Sequence, residues 1–281
     1  MTKTSKGSTA RNGDVEIYYE SFGDPADPTL VLINGLGSQC INYAAEWCER
    51  FVAEGHRVVR MDNRDTGLSS KLEGVDYGVG DMARDIIAVL DAIGVERAHV
   101  MGVSMGGMIV QRLAIDHPER LLSMTSVMSR TGEPEYGQSS PEALAVLMSP
   151  PAASRDEYIE NHVKALRIYG SKPEWLDDDL SRARAAAAYD RCFCPEGIGR
   201  QMGAIMRDGS RADELRNVRV PTLVLHGSRD SLIDPSGGRR TAELIPGARY
   251  VEFEGMGHDY PPAVWSQWVS TWSSFARDAV A

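Results

Sequence analysis

The sequence GVSMG, residues 102–106, stands between the apolar run Ala98–Met101 and a helix-like stretch, Met108–Asp116. This pattern predicts a strand that turns sharply into a helix and pushes the Ser104 side chain out of the bend. The flanking glycines leave space where a Cβ would collide; a glycine-rich surface turn is the alternative interpretation. A serine hydroxyl exposed in this way becomes a nucleophile when a base removes its proton. We therefore expect Ser104 to be a catalytic nucleophile.

Apolar runs and helix-like stretches alternate on both sides of this motif. The runs that predict strands are Val15–Phe22, Leu30–Ile33, His56–Met61, Ala98–Val103, Leu121–Met128, Val220–His226 and Arg249–Phe253. Helices are predicted at Ala44–Ala53, Asp81–Ile93, Met108–Asp116 and Ala263–Ala276. The alternation indicates an α/β fold, a mostly parallel twisted sheet flanked by helices. Ligands of such sheets bind outside the carboxyl ends of the strands, so site residues are expected there.

The alternation stops between Arg130 and Ala212, where strand-like runs are absent. A Pro/Ser/Gly-rich stretch, residues 132–151, leads into helix-like segments at Arg155–Tyr169 and Trp175–Tyr189. We interpret this insertion as a helical cap. The predicted domains are a first core part (1–129), the cap (130–212) and a second core part (213–281). Four cap residues are predicted to line an apolar substrate pocket, with packing inside the cap as the alternative: Met148, Tyr189, Phe193 and Met202.

A nucleophilic serine needs a histidine and an orienting carboxylate, each at the end of a strand. His258 follows the strand Arg249–Phe253 within the sequence GMGHD, whose glycines let the ring swing over neighbouring strands. The other five histidines lie at less suitable positions. His56 and His99 are in strands, His117 is at a helix end, His162 is in the cap, and His226 precedes a loop better suited to a carboxylate. We expect His258 to be the base, with a surface-loop histidine as the alternative.

The carboxylate that orients the histidine should also lie just after a strand. Asp230 comes just past the apolar strand Val220–Leu225, and Asp234, four residues further on, is its rival. Asp259 is adjacent to His258 in sequence, which is poor geometry for gripping that ring. Asp230 is therefore the predicted partner of His258, and the chain order is Ser, Asp, His.

Attack on a carbonyl also needs donors for the developing oxyanion. The residue after the serine, Met105, supplies one backbone N–H. The second should come from the loop NGLG, residues 34–37, that follows the first buried strand. Its predicted donor is the N–H of Leu36, with the N–H of Gly35 as the alternative. The loop could also be a glycine-rich turn with no role in binding.

Composition limits the classes of partner. The 281 residues are 42% hydrophobic and 25% charged, with a net charge of −10 and a pI near 5.1. Such acidity argues against nucleic acid and anionic membranes as partners. No run approaches the ~18 apolar residues of a membrane span, and the polar stretch Met1–Asn12 shows no secretory signal. We expect a cytoplasmic protein, and a homo-oligomer is left open.

The cysteines and the acidic run do not predict a metal site. Cys40, Cys48, Cys192 and Cys194 are too scattered for a disulfide framework, and the last two lack the spacing of a zinc knuckle. They are interpreted as reduced thiols. The run Asp177–Asp179 is interpreted as a solvated helix start.

With these residues identified, the chain resembles the α/β-hydrolase family, and within it the aclacinomycin methylesterase group. The similarity covers Asn12–Met128 and Ala212–Arg277. It rests on the motifs FGDPADP (22–28), DNRDTGLS (62–69), GVSMGG (102–107) and GMGH (255–258). The resemblance implies the roles assigned above, with no cofactor and no metal. One departure is Asn34-Gly35, where many relatives carry His-Gly.

The predicted function is hydrolysis of a carboxylic ester through an acyl-enzyme, with methyl esters among the candidate small-molecule substrates. Lactonases, carbon–carbon bond hydrolases and perhydrolases use the same serine, so these activities stay open. A non-catalytic ligand receptor on the same scaffold is the alternative from another class. Epoxide hydrolases and haloalkane dehalogenases place Asp where this chain has Ser104, which argues against them.

Overall fold

A computed structural model describes residues 7–280; residues 1–6 of the polar stretch Met1–Asn12 and residue 281 lie outside this range. Within it, eight strands form one sheet. They are β1 (Ser8–Asn12), β2 (Val15–Phe22), β3 (Thr29–Ile33), β4 (Arg57–Met61), β5 (Ala98–Val103), β6 (Leu121–Val127), β7 (Thr222–Gly227) and β8 (Arg249–Phe253). Their order across the sheet is β1-β2-β4-β3-β5-β6-β7-β8.

The sheet is parallel from β4 to β8 and antiparallel at one edge. β1 pairs antiparallel with β2, and β2 pairs antiparallel with β4. Every other neighbouring pair is parallel. Strands β3, β4, β5 and β7 are buried at every position, as expected for strands covered on both faces. The predicted fold class is confirmed, and the loops after β3, β5, β7 and β8 emerge at one edge of the sheet.

Ten α-helices accompany the sheet in the described part of the chain. They are α1 (Ala45–Ala53), α2 (Val79–Ala92), α3 (Met105–Asp116), α4 (Pro141–Leu147), α5 (Arg155–Tyr169), α6 (Asp178–Arg191), α7 (Pro195–Asp208), α8 (Ala212–Leu215), α9 (Ser236–Leu244) and α10 (Trp265–Val280). Short 3₁₀ turns lie at Cys40–Asn42, Pro118–Arg120, Pro173–Trp175 and Pro262–Val264. Between residues 7 and 280, no helix is both long and apolar enough to cross a membrane.

Each face of the sheet buries its own apolar core. One face packs against α2 and α3, whose side chains such as Ile86 and Ile109 are fully buried. The other face packs against α1 and α10 through aromatic residues. There the rings of Phe51 and Trp272 meet edge to face, with centroids 5.3 Å apart. Such pairs add about 0.5–1.5 kcal/mol beyond the area they bury. The rigid sheet therefore holds the loops at its carboxyl edge.

Helices α4 to α7 lie between β6 and β7, where the sequence predicts a cap. Two arginines tie these helices to core carboxylates whose side chains are fully buried. Arg191 of α6 lies 2.8 Å from Asp62, and Arg200 of α7 lies 2.8 Å from Asp65. A buried carboxylate that lost its cation would be costly, so these pairs fix the helices in register with the core. The domain boundaries at 129/130 and 212/213 stay predictions.

Three elements that were not predicted, β1, α7 and α9, have polar or glycine-containing sequences. β1 has the sequence STARN, and α7 and α9 carry glycines that resemble turn signals. Gly197 and Gly238 are close-packing positions instead. A Cβ on Gly197 of α7 would lie 2.2 Å from the Asp65 carbonyl oxygen, and one on Gly238 of α9 would lie 2.4 Å from Nδ1 of His226.

Candidate active site

Ser104 stands at the sharp turn between β5 and α3, in a backbone conformation that L-residues seldom adopt. Its φ is 57° and its ψ is −118°. The glycines on either side are required sterically, since the strand and the helix nearly touch. A Cβ on Gly102 would lie 2.0 Å from the Gly106 carbonyl oxygen, and a Cβ on Gly106 would lie 2.3 Å from that of Ile33. The local sequence therefore permits a strained turn that presents the Ser104 side chain.

The structure brings Asp230 and His258 together from the loops after β7 and β8. Nδ1 of His258 lies 2.7 Å from Oδ2 of Asp230. The other oxygen, Oδ1, accepts hydrogen bonds from the N–H groups of Leu232 and Ile233, both at 2.9 Å. The rival Asp234 accepts from the N–H of Ser236 at its own turn. Asp230 is thus the carboxylate that contacts the histidine.

A second histidine lies against the same carboxylate. Nε2 of His226 donates to the Ile233 carbonyl oxygen at 2.8 Å and lies 3.3 Å from Oδ2 of Asp230. Burial alone would raise the pKa of Asp230, but the charge of His258 and the hydrogen bonds from both histidines hold that pKa below its ordinary value. Asp230 is therefore ionised at neutral pH and able to orient an imidazole ring. This contact of His226 was not predicted; the signal in the sequence was its position four residues before Asp230.

The loop of residues 34–37, predicted to supply an oxyanion donor, passes directly beside Ser104. A Cβ on Gly35 would lie 3.1 Å from Cβ of Ser104. The loop is held from two sides, because Asn63 donates to the Asn34 carbonyl oxygen at 2.9 Å and Gln201 of α7 accepts from the Gly37 N–H at 2.8 Å. Its backbone is thereby held near the serine before any substrate arrives.

A cavity of about 1040 Å³ opens above these loops. Ser104, His258 and Leu36 form part of its wall on the sheet side, and Met105, the first residue of α3, lies beside them. The helices α4 to α7 contribute the other wall, with largely apolar side chains such as Leu144, Leu166 and Ile198. The arrangement gathers a serine, a histidine–aspartate pair and the loop of residues 34–37 at one largely apolar cavity.

A family model described as alpha/beta hydrolase fold matches residues 28–260. The chain belongs to the α/β-hydrolase family. Rhodomycin D methylesterase DnrP of Streptomyces peucetius is 36% identical over 276 residues, which cover 90% of this chain and 92% of that protein. The putative carbamate hydrolase RutD of Caulobacter sp. (strain K31) is 30% identical, covering 89% of this chain and 92% of that protein.

A solved structure of similar fold is the meta-cleavage product hydrolase CumD from Pseudomonas fluorescens IP01. It matches with a TM-score of 0.80 at 23% identity, covering 97% of this chain and 98% of that one. Together the matches confirm the predicted family, including the resemblance to the aclacinomycin methylesterase group, and the predicted fold class. They also support the predicted enzyme class, a carboxylic-ester hydrolase.

The structure separates the four cap residues predicted to contact substrate in this hydrolase. Met148 and Met202 line the cavity. Tyr189 and Phe193 are not among its lining residues; their rings stack on each other with centroids 4.6 Å apart. The edge of Phe193 also meets Tyr158, which does line the cavity. The two aromatic residues therefore support the wall from behind, which is the alternative considered from the sequence.

Other polar groups line the cavity without having been predicted. His162 of α5 is a second histidine in the wall, and burial together with the nearby Arg184 lowers its pKa. Asp259 also lines the cavity, beside His258. Among residues 7–280, no group of three or more His, Cys, Asp or Glu side chains is arranged to hold a metal ion.

Proposed function

We propose that this α/β hydrolase cleaves carboxylic esters through Ser104, His258 and Asp230. The observation that carries the proposal is the 2.7 Å contact between Asp230 and His258 at the wall of the cavity that also holds Ser104. His258 takes the proton of Ser104 as the hydroxyl attacks the ester carbonyl, and then protonates the departing alcohol. Water activated by the same ring releases the acid from the acyl-enzyme. Asp230 holds the ring and stabilises its charged form.

The oxyanion that forms during each step would be bound by backbone N–H groups. Met105 is the first residue of α3, so its N–H has no partner within the helix. Leu36 supplies the second N–H from the loop that passes Ser104, with Gly35 as the alternative donor. Loss of one such donor typically costs about 10²–10³-fold in turnover. Asn34 stands where many relatives have histidine, but this difference changes a side chain and leaves the backbone N–H donors of the loop in place.

The substrate that fits best is a large, mostly apolar ester with a small alcohol group. A chamber of about 1040 Å³ exceeds what a short acyl ester fills, and Met148 and Met202 provide adaptable apolar contacts. The relative DnrP is by name a rhodomycin D methylesterase. We therefore propose a methyl ester of a bulky polycyclic or similarly wide acid as the substrate class.

The test is turnover of a graded ester series by the purified protein and by point variants. We expect Ser104→Ala to lower kcat by on the order of 10⁴–10⁶-fold and to abolish labelling by a fluorophosphonate. His258→Gln should be nearly as damaging, whereas the matched variant His162→Gln should retain most of kcat. Substantial turnover by Ser104→Ala, or a greater loss from His162→Gln than from His258→Gln, would refute these assignments.

The same assay separates the other activities that the serine permits. Methyl esters of bulky acids should give a higher kcat/KM than lactones or a vinylogous diketone. Preference for the diketone would indicate a carbon–carbon bond hydrolase. A single slow acylation without turnover would indicate a ligand receptor.

A further inference from the structure

The end of α5 and the residues after it lie against both loops that carry the proposed catalytic pair. We name residues 168–172 the α5 bracket. The N–H of His258 itself donates to the Tyr169 carbonyl oxygen at 2.7 Å, and the N–H of Lys172 donates to the Gly255 carbonyl oxygen at 2.8 Å. The backbone of the histidine loop is therefore bonded to the helical segment on both sides of Gly257.

Ser171 adds a side-chain bridge around His258. Its hydroxyl donates to Oδ1 of Asp259 at 2.5 Å and accepts from the N–H of Gly257 at 3.1 Å. Its own N–H donates to the same Asp259 oxygen at 2.8 Å. Ser171 is only 3% exposed, so solvent does not compete for these bonds. One serine thus holds the residues immediately before and after His258.

The α5 bracket packs so closely against the loop that carries His258 that the loop cannot shift. A Cβ on Gly257 would lie 2.1 Å from the carbonyl carbon and oxygen of Gly170. The Asp230 side is held as well, since the hydroxyl of Ser231 donates to the Ile168 carbonyl oxygen at 3.2 Å. The bracket therefore spans the two loops whose separation decides whether Asp230 can reach His258.

We propose that Ser171 and Asp259 are positioning residues that hold His258 in register with Asp230 and Ser104. The inference rests on the proposed function, since it concerns how that base is oriented. The loop around His258 is glycine-rich and, without the bracket, would adopt many conformations. Directional hydrogen bonds select one of them, which an apolar contact between α5 and the loop could not do.

The bracket also gives Asp259 a role different from that of Asp230. Removing a carboxylate from water is costly unless hydrogen bonds compensate. Asp259 is half-buried, and the loss of water around it together with the charge of Asp230 raises its pKa, which the bonds from Ser171 oppose. The two donors of Ser171 provide that compensation on Oδ1. Asp259 therefore acts through the backbone of the loop, while Asp230 contacts the ring.

The experiment compares kcat and KM for Ser171→Ala, Asp259→Ala and Asp259→Asn on one ester substrate. Displacing a catalytic group by about 1 Å can cost on the order of 10²-fold in rate. We expect a loss of that order in kcat for both alanine variants. KM should be unchanged for Ser171→Ala, because Ser171 is not among the residues that line the cavity. Asp259→Asn keeps an acceptor oxygen for Ser171, so it should recover most of the lost kcat.

Two reference variants make the result interpretable. Ser149→Ala removes an exposed serine that bonds only within its own helix end and should leave kcat unchanged. Ser104→Ala reports on the proposed function itself: if it stays active, that function is wrong whatever the bracket does. If Ser104→Ala is inactive while Ser171→Ala keeps wild-type kcat, the positioning role is refuted. It is also refuted if Asp259→Asn loses as much kcat as Asp259→Ala. If Ser171→Ala does not fold, the Asp259 pair supplies the same comparison.

Discussion

Replacing Arg64 by methionine should destabilise the fold strongly, because its partner Asp85 would keep a buried charge without a cation. The pair joins the motif at residues 62–69 to helix α2. Nε and Nη2 of Arg64 each lie 2.7 Å from an oxygen of Asp85, and the two side chains are 5% and 1% exposed. After the substitution, Asp85 would retain the Asn12 amide at 2.9 Å as a donor.

The magnitude follows from burial. Removing one partner of a buried ion pair typically costs about 3–5 kcal/mol, because the remaining charge stays desolvated. For a domain of this size that corresponds to a fall in Tm of roughly 2–4 °C per kcal/mol. The double variant Arg64→Met/Asp85→Leu should be more stable than Arg64→Met, since it removes both charges.

The assay is denaturant unfolding of the purified variants, with an exposed pair of the same geometry as the control. Arg155 and Asp190 also meet through two contacts of 2.7 Å, but their side chains are 43% and 57% exposed. Solvent screens that pair, so Arg155→Met should change the free energy of unfolding far less. Equal losses at the two sites, or a double variant less stable than Arg64→Met, would refute the reasoning.

Three further outcomes are expected. Asp230→Asn should lower kcat by on the order of 10⁴-fold while substrate binding persists, measured by steady-state kinetics; an unchanged kcat would contradict the role of Asp230. Gly106→Ala should reduce both folded yield and activity, because the new Cβ would lie 2.3 Å from the Ile33 carbonyl oxygen; wild-type stability would contradict the close approach. Burial alone would raise the pKa of Asp65, but its arginine, amide and phenol donors bring that pKa below its ordinary value. The stability that this carboxylate contributes is therefore present above pH ~4 and lost as pH falls toward the lower folded pKa, so the stability gap between wild type and Asp65→Asn should narrow in acid. A gap that stays constant from pH 7 to acid would contradict this linkage.

The local sequence was informative wherever one short segment carries the whole signal. The turn at Ser104 needs glycines within two residues, so its pattern is visible along the chain. Asp230 and His258 follow apolar strands, and parallel strands bring such loops to one edge of the sheet. The structure places these two side chains in contact.

Features that depend on how distant segments pack against each other could not be predicted from the local sequence. Met202 of α7 lines the cavity while Phe193, between α6 and α7, packs behind its wall, although both are apolar residues of the predicted cap. Gly197 resembles a helix breaker, yet it lies inside α7 because the helix needs to approach Asp65 closely. At Gly197, packing between distant segments overrode the local helix propensity.

The amino-acid sequence alone therefore determined the α/β fold, the serine at the sharp turn, and the candidate base and its orienting carboxylate. These follow from the periodicity of apolar residues and from backbone freedom within a few residues. Only the tertiary structure decided the shape of the chamber and the bracket between Ser171 and Asp259, 88 positions apart in the chain. Contacts at such separation leave no local pattern, because each partner alone is an ordinary polar residue in a loop.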